Sequence, residues 1–337
     1  MIRPFEIRDF LERTQTIAIL DVRSPSEFFA GHIPGAHSLP LFDDQERAIL
    51  GTLYKQQGKQ DAVLKGLQFA GVKMQSLATQ ALALASDKKI AVYCWRGGMR
   101  SASVAWLLTQ IGLEVFLLKG GYKSYRRFCL ESFNLPRKLS ILGGKTGTQK
   151  TKILNALKSK NIHVVDLEAL ACHRGSAFGY AKDGLQPTQE QFENDLAFQL
   201  RSSDPSKTLW LEDESRLIGR LRVPDSLWKQ MRNAPVYVLE WPIEKRIQYL
   251  LEDYPLLPDK IEANLQAIKN RLGSERHSCA LKALAENRYA DLCSIILDYY
   301  DRAYSYGLSL RDPTTISYLP ADRAIEEILS LKPCLSD

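Results

Sequence analysis

The stretch Tyr93-Cys94-Trp95-Arg96-Gly97-Gly98-Met99-Arg100-Ser101 concentrates groups able to do chemistry. An apolar run from Ile90 to Tyr93 predicts a buried strand. Val104, Leu107, Leu108 and Ile111 recur at helical spacing, predicting a helix from Ser101 to Gln110 that Gly112 ends. Cys94 therefore falls in a strand-to-helix loop. Gly97 and Gly98 let such a loop curl until its N–H groups converge, and the helix N-terminus adds positive potential to the charges of Arg96 and Arg100. A cradle of this kind favours a thiolate, or an anion carried on the sulfur. A purely structural cysteine would need neither the glycine pair nor the arginines. Cys94, Arg96 and Arg100 are the candidate catalytic residues, with Gly97 and Gly98 as anion-holding positions.

A second stretch follows the apolar strand Leu139–Leu142: Gly143-Gly144-Lys145-Thr146-Gly147-Thr148-Gln149-Lys150-Thr151, which leads into a helix through Lys158. Strand, glycine-rich turn and helix beginning at Lys-Thr is the setting of a P-loop, whose N–H groups and lysine hold a diphosphate and whose threonine reaches Mg²⁺. Gly144, Thr146, Gly147, Thr148, Gln149, Lys150 and Thr151 are the expected contacts, with Thr151 the magnesium position. Gln149 stands where the pattern G-x-x-x-x-G-K-[ST] has its second glycine, so anion binding is expected more firmly than nucleotide hydrolysis. Ile162–Val165 ending in Asp166, and Thr208–Leu211 ending in Glu212-Asp213-Glu214, read as strands with acids at their ends, able to orient a metal or accept a proton. In an extended segment Glu212 and Glu214 share one side and Asp213 takes the other.

These loops need a scaffold. Short apolar runs at Ile17–Val22, Ser38–Leu41, Ile90–Tyr93 and Glu114–Leu118 alternate with helical segments, the pattern of a parallel α/β sheet. The 337 residues suffice for two domains. Asn134-Leu135-Pro136 marks the joint, giving an N-terminal parallel-sheet domain over 1–133 and a P-loop α/β domain with a helical C-terminal part over 134–337. Phe42–Gly71 is polar for a domain interior, a pair of solvated helices or a lid over Cys94. Between Lys119 and Lys138 basic residues outnumber acids and alternate with Tyr122, Tyr125, Phe128 and Phe133. Lys123, Arg126, Arg127 and Arg137 are thus candidate nucleic-acid contacts. The net charge of +6 leans the same way. The six cysteines form no Cys-x-x-Cys pair, which argues against a zinc site or a disulfide framework. No 18-residue apolar run or signal peptide is visible, so a cytoplasmic protein without membrane contact is expected.

Asp21-Val22-Arg23, His32-Ile33-Pro34-Gly35-Ala36, the Cys94 loop and Leu118-Lys119-Gly120-Gly121-Tyr122 together resemble a rhodanese domain over about residues 1–130. In that family the loop cysteine carries a persulfide. Asp21 and Arg23 are expected to brace the loop. With the P-loop, His173-Arg174-Gly175-Ser176, Gln186-Pro187, Phe192-Glu193-Asn194 and Glu212-Asp213-Glu214-Ser215-Arg216, nearly the whole chain resembles the tRNA 2-selenouridine synthase family. The resemblance implies replacement of sulfur by selenium at C2 of the wobble 2-thiouridine in the anticodon loop of tRNA. Geranyl diphosphate first alkylates the sulfur, and selenium from selenophosphate, or delivered by its synthase, then displaces the geranylthio group. It also implies ligand contacts at His173, Arg174, Ser176, Glu212 and Arg216, with no firm requirement for ATP. Two other readings stay open: a rhodanese-type sulfurtransferase, or a Cys-x5-Arg phosphatase built from Cys94 and Arg100, either coupled to a P-loop kinase or NTPase.

Overall fold

The computed structural model describes residues 2–173, 185–204, 206–253 and 258–331. The chain forms two compact units, Met1–Ser132 with Thr188–Phe198, and Phe133–Pro187 with Gln199–Asp337.

The first unit is built on five parallel strands, β1 (Ile2–Phe5), β2 (Ile19–Asp21), β3 (His37–Ser38), β4 (Lys89–Tyr93) and β5 (Glu114–Leu118), in the order β1-β5-β4-β2-β3. A central parallel strand is covered on both faces, which is why Ile90, Ala91, Val92 and Tyr93 form an unbroken apolar run that is fully buried. The helix Met99–Gln110 lays Val104, Ala105 and Leu108 against this sheet, joining Leu20, Val22, Leu77 and Val115 in one core. Asp21 and Arg23 form a buried ion pair at the end of β2, Nη2 to Oδ2 2.6 Å. Tyr93 Oη donates to the same carboxylate at 2.7 Å, Arg23 Nη2 donates to Gly31 O at 2.6 Å, and the guanidinium lies 3.8 Å from the Tyr122 ring centroid. Every charge in this cluster is partnered, so it braces strand ends and is not a reactive site.

A segment far along the sequence returns to this unit. Thr188 Oγ1 donates to Ala30 O at 2.6 Å, His32 N to Gln191 Oε1 at 2.8 Å, and Asn194 Nδ2 to His32 O at 2.9 Å. These are polar contacts, so hydrophobic periodicity carried no sign of them.

The second unit has β6 (Leu139–Gly144), β7 (Val164–Val165), β8 (Leu209–Glu212), the antiparallel ribbon of β9 (Leu217–Ile218) and β10 (Leu221–Arg222), then β11 (Val236–Glu240) and β12 (Ile316–Pro320). Its parallel sheet runs β12-β11-β6-β8-β7, with the P-loop strand β6 at the centre. The helix Lys150–Ser159 packs Ile153, Leu154 and Leu157 onto Leu142, Trp210 and Leu239. Four helices, Ile243–Asp253, Pro258–Leu272, Ser274–Ala285 and Tyr289–Ser309, share a second core around Leu250, Leu265, Leu284 and Ile296. Among the described residues no helix is long and apolar enough to cross a membrane.

Candidate functional sites

The Cys94 loop is shaped by what presses on it. Gly97 has φ +66°, and a Cβ there would stand 2.9 Å from Leu118 O and 3.0 Å from Gly120 N. A Cβ on Gly121, at φ +57°, would stand 2.2 Å from Cys94 O and 2.4 Å from Gly97 N. The loop thus lies directly on the turn after β5, and Tyr122 N donates to Cys94 O at 2.8 Å and Lys123 N to Trp95 O at 2.9 Å. Gly98 differs from the sequence reading: its φ is −97° and a Cβ added to it would meet nothing within 4 Å, so the curl depends on Gly97 and Gly121. Gly97→Ala and Gly121→Ala are expected to cost at least about 1–2 kcal/mol from the left-handed backbone alone. Gly98→Ala should stay within ~0.5 kcal/mol, the usual range for a substitution that meets no special feature. Urea unfolding of the three variants checks this.

Cys94 is 3 % exposed, and Ser101 Oγ donates to its Sγ at 3.2 Å. The sequence reading missed Ser101; its position in the first turn of the helix after the cysteine was the available signal. Arg96 is exposed. Arg100, expected to add charge to the cradle, is committed elsewhere, donating to Glu27 from Nη1 at 2.6 Å and from Nη2 at 3.2 Å. Burial pushes the Glu27 carboxyl upward, but the hydrogen bonds and charge of Arg100, with the Ser24 N–H and the Arg47 charge, together hold the group below its ordinary value.

The polar segment 42–71 forms two helices, Asp44–Gln56 and Lys59–Gly71, packed on each other. With Leu41, Phe42 and Met99 they line an apolar groove of about 820 Å³ that reaches Arg100 and carries Arg47, Lys55 and Lys59.

The basic stretch is only partly available for RNA. Lys123 is exposed, and Arg127 is exposed with a loose 3.9 Å contact to Glu131. Arg126 is instead a fold residue, donating to Glu193 at 2.5 Å and Asn194 at 2.7 Å. Arg137 donates to Leu200 O at 3.0 Å, and burial lowers its pKa. Tyr122, Tyr125 and Phe133 are buried and cannot stack on a base. Arg127→Ala is expected to flatten the salt dependence of tRNA binding by about one unit of slope. Arg126→Ala should leave the slope unchanged and cost about 1.5–3 kcal/mol of stability by stranding Glu193. Filter binding at several salt concentrations, with parallel unfolding curves, separates the two.

In the second unit the P-loop opens onto a cleft of about 1360 Å³ lined by Thr146, Gly147, Gln149, Lys150, Thr151, His173, Glu212 and Arg216, among others. Lys150 Nζ donates to Gly144 O at 2.9 Å, and Gly144 N donates to Tyr304 Oη at 2.8 Å. Thr148 also borders the cleft, but it is 1 % exposed and its hydroxyl donates to Lys145 O at 2.8 Å, closing the turn. Thr151 is exposed on the first turn of the helix.

Gln149 adopts φ 58°, ψ 31°, the left-handed conformation that the missing glycine would take freely. The glutamine carries the strain of a backbone conformation that suits glycine. Gln149→Gly is therefore expected to stabilise the protein by about 1 kcal/mol, read as a shift in the urea midpoint at constant slope.

His173 lines the cleft and its Nδ1 is buried without a partner among the described residues. Arg174 and Ser176 lie outside the described residues. Arg216 pairs with Asp225 at 2.5 Å on the surface.

The acids divide by role. Asp166 caps the short helix Leu167–Leu170, accepting from Ala169 N at 2.8 Å, which places Glu168 in that helix's first turn. Asp213 accepts from Arg311 at 2.6 Å and from Tyr304 Oη at 3.2 Å. Glu168, Glu212 and Glu214 converge, with one carboxylate oxygen of each within 4.8 Å of the others. Burial, then Glu214 and Glu168, push Glu212 well up. Burial, then Glu168, push Glu214 up to about 8, with Lys150 opposing. Burial disfavours charge on Lys150, but Glu212, Glu214 and Glu168 outweigh it and hold the ammonium form. Glu168, Tyr304 and Arg311 were not found from sequence. Only Glu168 had a local signal, two residues past the strand-end acid.

Residues 137–260 match the family model described as the tRNA 2-selenouridine synthase AAA domain, and residues 6–127 match the rhodanese-like domain. The tRNA 2-selenouridine synthase of Alcanivorax borkumensis is 35 % identical over 338 residues, covering 88 % of this chain and 91 % of the relative. That of Shewanella denitrificans is 37 % identical over 332 residues, covering 88 % and 89 %. That of Hahella chejuensis is 36 % identical over 330 residues, covering 87 % and 86 %. Similarity at this level along both domains means that the chain belongs to the tRNA 2-selenouridine synthase family.

Proposed function

We propose that the protein converts wobble 2-thiouridine in tRNA to 2-selenouridine in two steps, with geranyl diphosphate and selenophosphate as co-substrates. In the first, the thiocarbonyl sulfur attacks the allylic carbon of geranyl diphosphate: the S–C bond forms, the C–O bond breaks and diphosphate departs. In the second, the selenium of selenophosphate adds at C2, geranylthiol leaves, and water cleaves the Se–P bond so that phosphate is released and selenium stays on C2. Alkylation makes the second step feasible, because a thiocarbonyl sulfur is a poor leaving group whereas a thiol is a good one.

The observation that supports this reading most is that the chain carries two separate glycine-shaped strand-to-helix loops of different chemistry, one on each sheet, the first bearing Cys94 and the second Lys150. Lys150 and the P-loop N–H groups suit a departing diphosphate, where preorganised positive charge counts most. Cys94 suits a soft chalcogen: its sulfur, held by the Ser101 hydroxyl that donates to it, can position the selenium of a selenium donor for attack without changing its oxidation state. Thr151, exposed beside Lys150, can contribute to a magnesium shell. ATP has no part in this scheme. The target base must leave its stack, which is cheapest in a single-stranded anticodon loop. Lys123 and Arg127 offer phosphate contacts.

A Cys-x5-Arg phosphatase would need Arg100 to bind substrate phosphate, and its bidentate pairing with Glu27 disfavours that. Mass spectrometry of nucleosides from thiolated tRNA tests the proposal. Incubation with geranyl diphosphate should yield S-geranyl-2-thiouridine, and subsequent selenophosphate should yield 2-selenouridine. Absence of both products with RNA-independent ATP turnover would favour a P-loop NTPase.

A further inference from the structure

The helices Asp44–Gln56 and Lys59–Gly71 leave much of their apolar surface uncovered. The first buries none of its residues and the second only Gly66, although Leu50, Tyr54, Val63 and Leu67 line the groove they form. An amphipathic helix ordinarily hides such side chains in a core. Here Leu67 is 63 % exposed, Tyr54 60 % and Met99 54 %, three large apolar groups around one opening above the buried Leu41 and Phe42. The volume of about 820 Å³ is that of a small-molecule site, for which roughly 300–1,000 Å³ is usual. Two features say what covers this surface. Its rim carries Arg47, Lys55 and Lys59, all exposed, Arg47 with only a loose 3.9 Å contact to Glu27. Of the acids lining it, Glu27 is engaged by Arg100 and Asp44 by Ser26. The occupant therefore combines an apolar part with negative charge. Arg47 and Lys55 stand eight residues apart on one helix, about 12 Å along its axis, which suits phosphates spread along a strand better than a single diphosphate. The groove also reaches the thiol loop: Arg100 lines it while the adjacent Ser101 donates to Cys94 Sγ, so one helical turn borders both.

We propose that this groove seats the geranyl chain of S-geranylated tRNA during the selenium step, an occupant that rests on the two-step reading above. The apolar walls take the chain, and Arg47, Lys55 and Lys59 meet phosphates flanking the modified base. Because the chain is bonded to the sulfur on C2, anchoring it in the groove fixes the reacting carbon near the thiol loop. It also gives the second step its selectivity. Plain 2-thiouridine has nothing to place in the groove and is released, whereas the alkylated intermediate is retained.

The test uses the full-length protein and tRNA geranylated chemically beforehand, so it does not depend on alkylation by the enzyme. Filter binding should show S-geranyl tRNA held at least about tenfold more tightly than the same tRNA carrying plain 2-thiouridine. In the double variant Tyr54→Gln, Leu67→Gln this gain should fall to about twofold or less, with plain 2-thiouridine tRNA bound as before. Leu82→Gln, equally exposed but on the helix Met74–Leu84 outside the groove, should keep the gain. In selenation of the pre-geranylated tRNA the double variant should raise KM roughly tenfold with kcat within about twofold of wild type, the pattern of lost ground-state binding. Circular dichroism monitors folding. Should the double variant fail to fold, a photoreactive geranyl analogue carried on the tRNA decides: crosslinks in the wild type should fall within residues 41–70 or 99–103, and crosslinks only elsewhere overturn the site. No gain in the wild type, or a gain that persists in the folded double variant, also overturns it. Loss of radiolabelled geranyl diphosphate binding, measured without tRNA, in the folded double variant would assign the groove to the free diphosphate and overturn the tRNA-borne occupant. A groove-dependent gain in a protein that makes neither S-geranyl-2-thiouridine nor 2-selenouridine would leave a prenyl-RNA site standing and remove the two-step reading. Both products formed, with the gain unchanged in the variant, would do the reverse.

Discussion

Replacing Lys150 by alanine is expected to slow S-geranylation by about 10²–10³-fold, the usual loss when a preorganised charge-stabilising donor is removed. Selenation of tRNA already geranylated should proceed at close to the wild-type rate. The split follows from where diphosphate charge develops. Only the first step breaks a bond to diphosphate, and Lys150 is the cation held at the P-loop, its charged form favoured by Glu212, Glu214 and Glu168. Removing the ammonium leaves three carboxylates without it, and they will respond by binding protons, so circular dichroism must accompany the kinetics. The measurement is single-turnover appearance of S-geranyl-2-thiouridine with excess enzyme, set beside selenation of a pre-geranylated substrate. Equal loss of both steps in a folded variant would mean that Lys150 holds the architecture of the unit, and unimpaired geranylation would mean that the diphosphate binds elsewhere.

The strands that carry the sites were legible because parallel strands buried on both faces are continuous apolar runs. Ile90–Tyr93, Glu114–Leu118 and Leu139–Leu142 fall within observed strands. The edge strands β1 and β12 were not. Three of the four residues of Ile2–Phe5 are exposed, and Ile316–Pro320 buries only Leu319, so neither presents a pattern that stands out from loop. The chemistry-bearing loops were legible for the same local reason, since a loop between a strand and a helix is marked by its glycines. What the loops touch was not. Ser101 beside Cys94 is helix-local and could have been found, but Tyr304 on Gly144 and Arg311 on Asp213 join residues about a hundred or more positions apart through single hydrogen bonds. Charge was misread in one consistent way. Arg100 and Arg126 look like free cations in sequence, yet their acids, Glu27 and Glu193, lie 73 and 67 positions away. Those separations left the pairing invisible.

Cys94→Ser is expected to abolish selenation while geranylation continues at the wild-type rate. The alkylation step needs the substrate's own sulfur as nucleophile and a held diphosphate, and neither comes from Cys94. The selenium step needs a soft, polarisable group in a site already organised for an anion on sulfur. A serine hydroxyl is nearly isosteric and accepts the same hydrogen bond from Ser101, but it is not ionised near neutral pH and is a hard oxygen where the selenium donor needs a soft, polarisable sulfur contact. The variant should therefore accumulate S-geranyl-2-thiouridine, a direct chemical readout that simple loss of fold would not give. Because Cys94 is 3 % exposed and packed in the loop, its stability must be matched by unfolding curves before rates are compared. A companion variant, Ser101→Ala, keeps the thiol and removes only the donor, so it should slow selenation with cysteine still present and leave geranylation untouched. Should Cys94→Ser lose both products while folded, the thiol takes part in alkylation as well and the division of labour between the two loops fails.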